Sequence, residues 1–170
     1  MELYEICFSP TGGTKKAADI LAKELAQDIR PVDLTDYSTD FSSISLEENA
    51  AAVIAVPSYG GRVPEIAVKR LSQIKGNGAK AVLVCIYGNR AYEDTLVELE
   101  DTAKQAGFQV IAAVAAIAEH SIVRQIASGR PDAKDEEKLR DFARQIREKF
   151  ASGNDSKPEI PGNRPYKKSG

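Results

Sequence analysis

Ser9-Pro10-Thr11-Gly12-Gly13-Thr14 lies between an apolar run, Leu3–Phe8, and a segment, about 13–27, that places Ala17, Ile20, Leu21 and Leu25 on one helical face. The passage is strand, glycine-bearing loop, helix. Helix N-termini carry unpaired backbone N–H groups, so a loop at that point attracts anions. Gly12 and Gly13 let the backbone approach a ligand closely, and Ser9, Thr11 and Thr14 add three hydroxyls. The loop contains no Lys or Arg, so neutral donors would carry a phosphate; Lys15 and Lys16 follow and add long-range attraction. It lacks the Gly-Lys-Ser/Thr ending of a Walker loop and the Gly-x-Gly-x-x-Gly of a dinucleotide site. Taken alone it is equally an ordinary strand-to-helix turn.

Strand-like and helix-like segments alternate through the chain, which predicts an α/β fold with a parallel sheet. A second strand is expected at about 28–34. Pro31 lies within it, and a residue that donates no ladder bond suits an edge strand. Thr35–Asn49 is a polar connection with room for one helical turn around Phe41, Ile44 and Leu46. Apolar runs at about 51–56 and 81–87 predict strands buried on both faces, and 109–116 a fifth. Helices are expected from Pro64 to about Ile74, stopped by Gly76-Asn77-Gly78, from about Tyr92 to Gln105, stopped by Gly107, and from about Asp135 to Phe150. These elements predict a doubly wound five-stranded parallel sheet of order 2-1-3-4-5, with residues 1–150 as one domain. Residues 151–170 are rich in Gly, Pro, Ser, Asn and Lys and read as a flexible C-terminal tail or linker.

That strand order brings three loops to one end of the sheet. The second is Pro57-Ser58-Tyr59-Gly60-Gly61-Arg62-Val63-Pro64, and the third is Tyr87-Gly88-Asn89-Arg90-Ala91-Tyr92. Each adds an aromatic ring, Tyr59 and Tyr92. Separately, each is also compatible with a surface turn. Together, a phosphate cradle and two ring-bearing loops suit a phosphorylated ligand with a large planar ring, because aromatic faces stack on such rings.

Composition narrows the alternatives. The 170 residues carry a net charge of −2, with 42% apolar and 28% charged side chains, so the chain as a whole is no electrostatic nucleic-acid binder. No run of about 18 apolar residues could span a membrane, and the N-terminus lacks a signal-peptide pattern, so a cytoplasmic location is expected. Cys7 and Cys85 sit in apolar runs and read as reduced core residues; with one histidine, His120, no metal-ligand spacing exists.

These motifs resemble those of the flavodoxin family, and the likeness covers about residues 1–150. Ser9–Thr14 matches the family's Thr/Ser-x-Thr-Gly-x-Thr phosphate loop. Tyr59-Gly60-Gly61 lies where the family places the residue flanking the flavin and the peptide that faces N5. Gly88-Asn89-Arg90-Ala91-Tyr92 is similar to the family's Gly-Asp-x-x-Tyr, whose Tyr stacks on the isoalloxazine. Tyr87–Asp94, Glu119-His120-Ser121 and Gly129-Arg130-Pro131-Asp132 further resemble the flavodoxin-like domain of flavodoxin–ferredoxin fusions. The resemblance implies FMN as cofactor, electron transfer as activity, and a redox protein such as a ferredoxin or a fused ferredoxin domain as partner. It places the FMN-binding residues at Ser9–Thr14, at Pro57–Arg62 and at Tyr87–Asn89, Arg90, Tyr92, Glu93 and Asp94.

The chain departs from the family around the ring. Asn89 stands where Asp is usual, and Arg62 and Arg90 lie in the flavin loops. A cation close to the ring contributes roughly 2–4 kcal/mol at an effective dielectric of about 20. A less negative couple for full reduction than in acidic flavodoxins is therefore expected. Paired glycines at 60–61 make a peptide flip sterically cheap. His120 follows the fifth strand and is either a group near the flavin or a loop-capping residue. An NAD(P)H- or quinone-dependent flavin reductase on the same fold is the alternative. A response-regulator domain has the same strand order but requires an Asp ending strand three, where this chain has Pro57-Ser58.

Overall fold

The computed structural model describes residues 2–87, 94–117, 133–153, 160 and 164–166. Its five strands are β1 (Leu3–Cys7), β2 (Ile29–Asp33), β3 (Ala51–Pro57), β4 (Lys80–Tyr87) and β5 (Gln109–Ile117). They form one sheet of order β2-β1-β3-β4-β5 in which every pairing is parallel. Among the described residues the helices are α1 (Gly13–Leu25), α2 (Glu65–Leu71), α3 (Thr95–Gln105) and α4 (Ala133–Ser152). The α/β flavodoxin-like order expected from the sequence is the one observed.

Alternation along the strands divides the core in two. Ile6, Ile54, Val56, Leu83 and Cys85 face α2 and α3, whose Ala67, Leu71, Leu96, Leu99 and Ala103 complete that layer. Leu3, Cys7, Val53, Ala55 and Val84 face α1 and α4. There Ala17, Ala18 and Ala22 let α1 lie close, while Leu139, Ala143 and Ile146 form the buried stripe of α4. Both faces of β3 are covered, so its run is apolar throughout. Cys7 and Cys85 are free thiols within this core.

The edge position of β2 explains Pro31, which stands in register with Glu5 of β1. The polar connection after β2 carries a single 3-10 turn, Phe41–Ser43, capped by Asp40, whose side chain accepts from the Ser42 N–H. α2 ends three residues before the expected Ile74. The N–H groups of Gln73 and Ile74 bond to Arg70 and Leu71, tightening the last turn. At the end of the sheet remote from the three loops, Gly76 N–H donates to the Ala106 carbonyl and Gly78 N–H to that of Gly107, each at 2.7 Å. These bonds stitch the turn before β4 to the turn before β5.

Beyond α4, Ile160 packs against the α2–α3 layer, and Arg164 and Tyr166 contact α3.

Candidate functional site

The first loop leaves β1 beside β3, held by the bond from Phe8 N–H to the Ala55 carbonyl, 3.0 Å. Ser9 is gripped from both sides. Its N–H donates to Thr35 Oγ1 at 3.0 Å, and its Oγ accepts from Lys15 N–H at 3.0 Å. Thr35 is oriented in turn by the Asp33 carboxylate, which accepts its N–H at 2.8 Å. Gly12 precedes α1 with φ 92°, in the left-handed region that favours glycine. A Cβ there would meet nothing within 4 Å, so the loop opens outward. Among the described residues, the N–H groups of Thr11, Gly12, Gly13 and Thr14 find no internal acceptor. Four amides left unpaired around an open helix start fit an anion such as a phosphate.

The second loop follows β3. Pro57 is buried at the strand's end, and Ser58 N–H donates to the Ile86 carbonyl at 2.8 Å, keeping the loop against β4. Tyr59 and Arg62 then exchange N–H to carbonyl bonds of 2.9 and 3.1 Å. Gly60 and Gly61 make the two-residue turn between them, with φ 60° and 80°. Two consecutive positive φ values are the geometry of a type I′ turn, which accounts for the glycine pair. Asp94 N–H holds the Gly61 carbonyl at 3.1 Å. Among the described residues the Gly60 carbonyl and the Gly61 N–H have no internal partner. Tyr59 is 43% exposed beside this turn. The arrangement fits the edge of a planar ring: an exposed aromatic face and one peptide unit able to present either a donor or an acceptor.

Beneath the turn lies a residue the sequence did not single out. Glu98 of α3 accepts from Arg62 Nε at 2.7 Å, Arg62 Nη2 at 2.8 Å and the Val63 N–H at 2.9 Å. Arg62 is held above its ordinary pKa chiefly by that hydrogen bond. Sequence alone suggests Arg62 as an unbalanced cation at the ring. The structure corrects this: the pair sums to zero, so Arg62 is no net source of positive charge there. Thr95 also supports the loop, its Oγ1 2.7 Å from Ser58 Oγ. A glutamate and a threonine in the first turns of a helix look like ordinary helix surface in sequence, and only the packing of α3 under the loop reveals their role.

Of the third loop, Tyr87 closes β4 and is half-buried, and Asp94 is buried at the start of α3, engaging Gly61 through its backbone. Gly88, Asn89, Arg90, Ala91, Tyr92 and Glu93 lie outside the described residues, as do His120 and the 129–132 motif. Among the described residues no cluster of metal-ligating side chains occurs, and no helix is long and apolar enough to cross a membrane.

The flavodoxin family model matches residues 6–142, a span holding both loops, the end of β1 and the other four strands whole. The chain belongs to the flavodoxin family. FMN is the cofactor of this family, and electron transfer to redox partners is its activity. No curated protein matches the chain. Among solved structures, a flavodoxin from Streptococcus pneumonia TIGR4 is 20% identical, with 88% of this chain and 99% of that one covered at a TM-score of 0.59. A flavodoxin from the domain Archaea is 14% identical, covering 89% and 99% at 0.56. The azoreductase AzrA is 9% identical, covering 85% and 100% at 0.60. At these identities the likeness is one of fold, shared by carriers and reductases alike.

Proposed function

We propose that this flavodoxin is a one-electron carrier that seats the FMN phosphate on Ser9–Thr14 and the ring against Tyr59, Gly60 and Gly61, passing electrons to an iron–sulfur or other redox protein. The observation that carries this is the unpaired Gly60–Gly61 peptide on a type I′ turn at the end of β3, on the strand next to an unpaired amide cradle. FMN, when bound, supplies a ring that accepts and returns electrons.

The protein's own groups do the rest. The amides of Thr11–Thr14 bind the phosphate, with Ser9 fixed by Thr35 and Lys15 to keep the cradle open. Tyr59, exposed beside the turn, would cover a bound ring and limit water at it. The peptide between Gly60 and Gly61 would offer a bound ring either its carbonyl or its N–H, since neither has an internal partner among the described residues. From the third loop, Tyr87, Gly88, Asn89, Arg90, Tyr92, Glu93 and Asp94 complete the ring site in this proposal.

The test is the visible absorption spectrum of protein reconstituted with FMN, followed by steady-state turnover. Flavin bands that stay with the protein through gel filtration, with no turnover of NAD(P)H and a quinone, are the expected result. Sustained turnover of both substrates would replace the carrier with the reductase. A colourless protein would remove FMN altogether.

A further inference from the structure

The Arg62–Glu98 pair does not stand alone. The Tyr166 ring lies across the other side of Arg62, its centroid 4.9 Å from the guanidinium carbon. Its hydroxyl donates to Asp101 Oδ2, one turn along α3 from Glu98. Arg164 spans the same helix face, its Nη2 2.8 Å from Glu100 Oε1 and 2.9 Å from Asp101 Oδ1, and its Nε 3.0 Å from Asp101 Oδ2. Burial and the bond to Asp101 push the Tyr166 hydroxyl up to about 12, so it stays a donor at neutral pH. Arg164, beside Asp101, holds that carboxyl below its usual range, so the acceptor stays charged.

A chain of contacts thus runs from residues 164–166, through Arg62 and Glu98, to the turn at Gly60–Gly61. Each link is directional. Glu98 takes two bonds from the guanidinium, whose planar fork admits one orientation, and a third from the backbone of Val63. The side chain of Glu98 is 9% exposed, so water competes little for those bonds. Tyr166 lies on a face of the guanidinium in a cation–π contact. The glycines supply conformational freedom at the tip, and these groups remove it at the base.

We infer that Glu98 is a positioning residue for the Gly60–Gly61 turn, and that Arg164 and Tyr166 form a strap that holds Arg62 onto it. This rests on the proposed flavin site for its meaning, though the strap itself is a property of the chain without flavin. Its consequence is that the segment after α4 controls how freely the 60–61 peptide turns. Displacing that segment loosens the ring-side loop and leaves the phosphate loop intact.

Amide hydrogen exchange on the full chain without flavin tests the strap, because the Arg62 N–H bonds to Tyr59 across the turn, the Asp94 N–H to the Gly61 carbonyl and the Val63 N–H to the Glu98 carboxylate beneath, so that all three report its opening. Glu98→Ala is expected to speed exchange at these three amides by about tenfold or more, the loss of a charge-assisted hydrogen-bond set. Glu98→Gln, which keeps an acceptor for Val63, is expected to restore part of the protection. Tyr166→Leu and Arg164→Ala, at the outer side of the strap, are expected to give about two- to fivefold increases at the same amides, in line with a cation–π contact and a half-exposed ion pair. Protection of Lys16, in the first turn of α1, is expected to be unchanged throughout. Unchanged exchange at Arg62, Val63 and Asp94 overturns the inference, and so does an equal rise across all of β3 and α1, which would mark Glu98 as a residue of global stability only. Should Glu98→Ala fail to fold, Tyr166→Leu and Arg164→Ala decide the question by the same amides.

A second readout uses FMN-loaded protein. Tyr166→Leu is expected to shift the midpoint potential measurably while leaving the phosphate-loop amides protected. An unchanged potential overturns the strap's influence on the ring. Failure to bind FMN overturns the proposed function, whereas the flavin-free exchange pattern still decides the strap.

Discussion

Glu5 Oε2 lies 3.7 Å from Lys15 Nζ, within ion-pair range but too far for a hydrogen bond. Glu5 is in the middle of β1 and its side chain is 5% exposed, and Oε2 has no hydrogen-bond partner. Burial, reinforced by a hydrogen bond and repulsion from Asp19, pushes its carboxyl up to about 8, against the opposing pull of Lys15. Burial acts to raise Asp19 too, but hydrogen bonds with Glu5 and Lys15 outweigh it and leave Asp19 below its usual range. Glu5 therefore holds a proton at neutral pH while Asp19 stays ionised.

A carboxyl whose folded pKa is raised makes the folded state bind the proton more tightly than the unfolded state. Stability from Glu5 is complete below its unfolded value near 4.5 and is lost as pH climbs to about 8. Asp19 has the opposite sign, and its contribution disappears only below its usual value of 3.8. Lys15, raised by Asp19, and Cys7, pushed to about 12 by burial, titrate above this window. Glu5→Gln is expected to leave stability at pH 5 nearly unchanged and to raise it by about 1–3 kcal/mol at pH 8.5. Urea unfolding at the two pH values checks this; equal effects at both would remove Glu5 as the titrating group.

Arg62 and Glu98 are expected to be strongly non-additive. Arg62→Met leaves the Glu98 carboxylate buried without its main partner and is expected to cost about 3 kcal/mol. Adding Glu98→Gln to that variant removes the stranded charge but keeps an acceptor for Val63 N–H, so the double variant is expected to be more stable than Arg62→Met alone by about 1 kcal/mol or more. A double-mutant cycle in urea measures the coupling, and additive effects would show the pair to be independent.

Gly12 is required for its backbone and not for space. Gly12→Ala is expected to cost about 1–2 kcal/mol from the left-handed conformation alone, since its Cβ meets no neighbour. Gly12→Asn is expected to cost less, because Asn tolerates that region. FMN titration of both variants is expected to rank affinity in the same order, glycine first and alanine last.

Gly76 is the reverse case. A Cβ there would lie 2.8 Å from both Cγ and N of Phe108 and 2.9 Å from the Gly107 carbonyl carbon. Two of those atoms are backbone, so relief requires moving the turn before β5. Gly76→Ala is expected to destabilise by about 1–3 kcal/mol with FMN affinity unchanged, because the clash is at the end of the sheet away from the loops. Urea unfolding and FMN titration of one preparation check both halves.

The sequence by itself determined the sheet. Apolar runs at about 51–56 and 81–87 call for burial on both faces, Pro31 suits an edge, and the alternation of strands and helices gives the doubly wound order that is observed. It also marked Gly12 and Gly60-Gly61 as places where the backbone has freedom, and the structure gives all three positive φ, but the first loop read alone is equally an ordinary strand-to-helix turn. Only the tertiary structure decided what those glycines and Arg62 face. Glu98, 36 residues from Arg62, and Tyr166 far beyond it, meet the loop through the packing of α3 and the return of the chain across it. No periodicity or spacing encodes such a meeting. An arginine read in isolation is a cation, and its charge was cancelled by a carboxylate that only the fold brings within 2.7 Å.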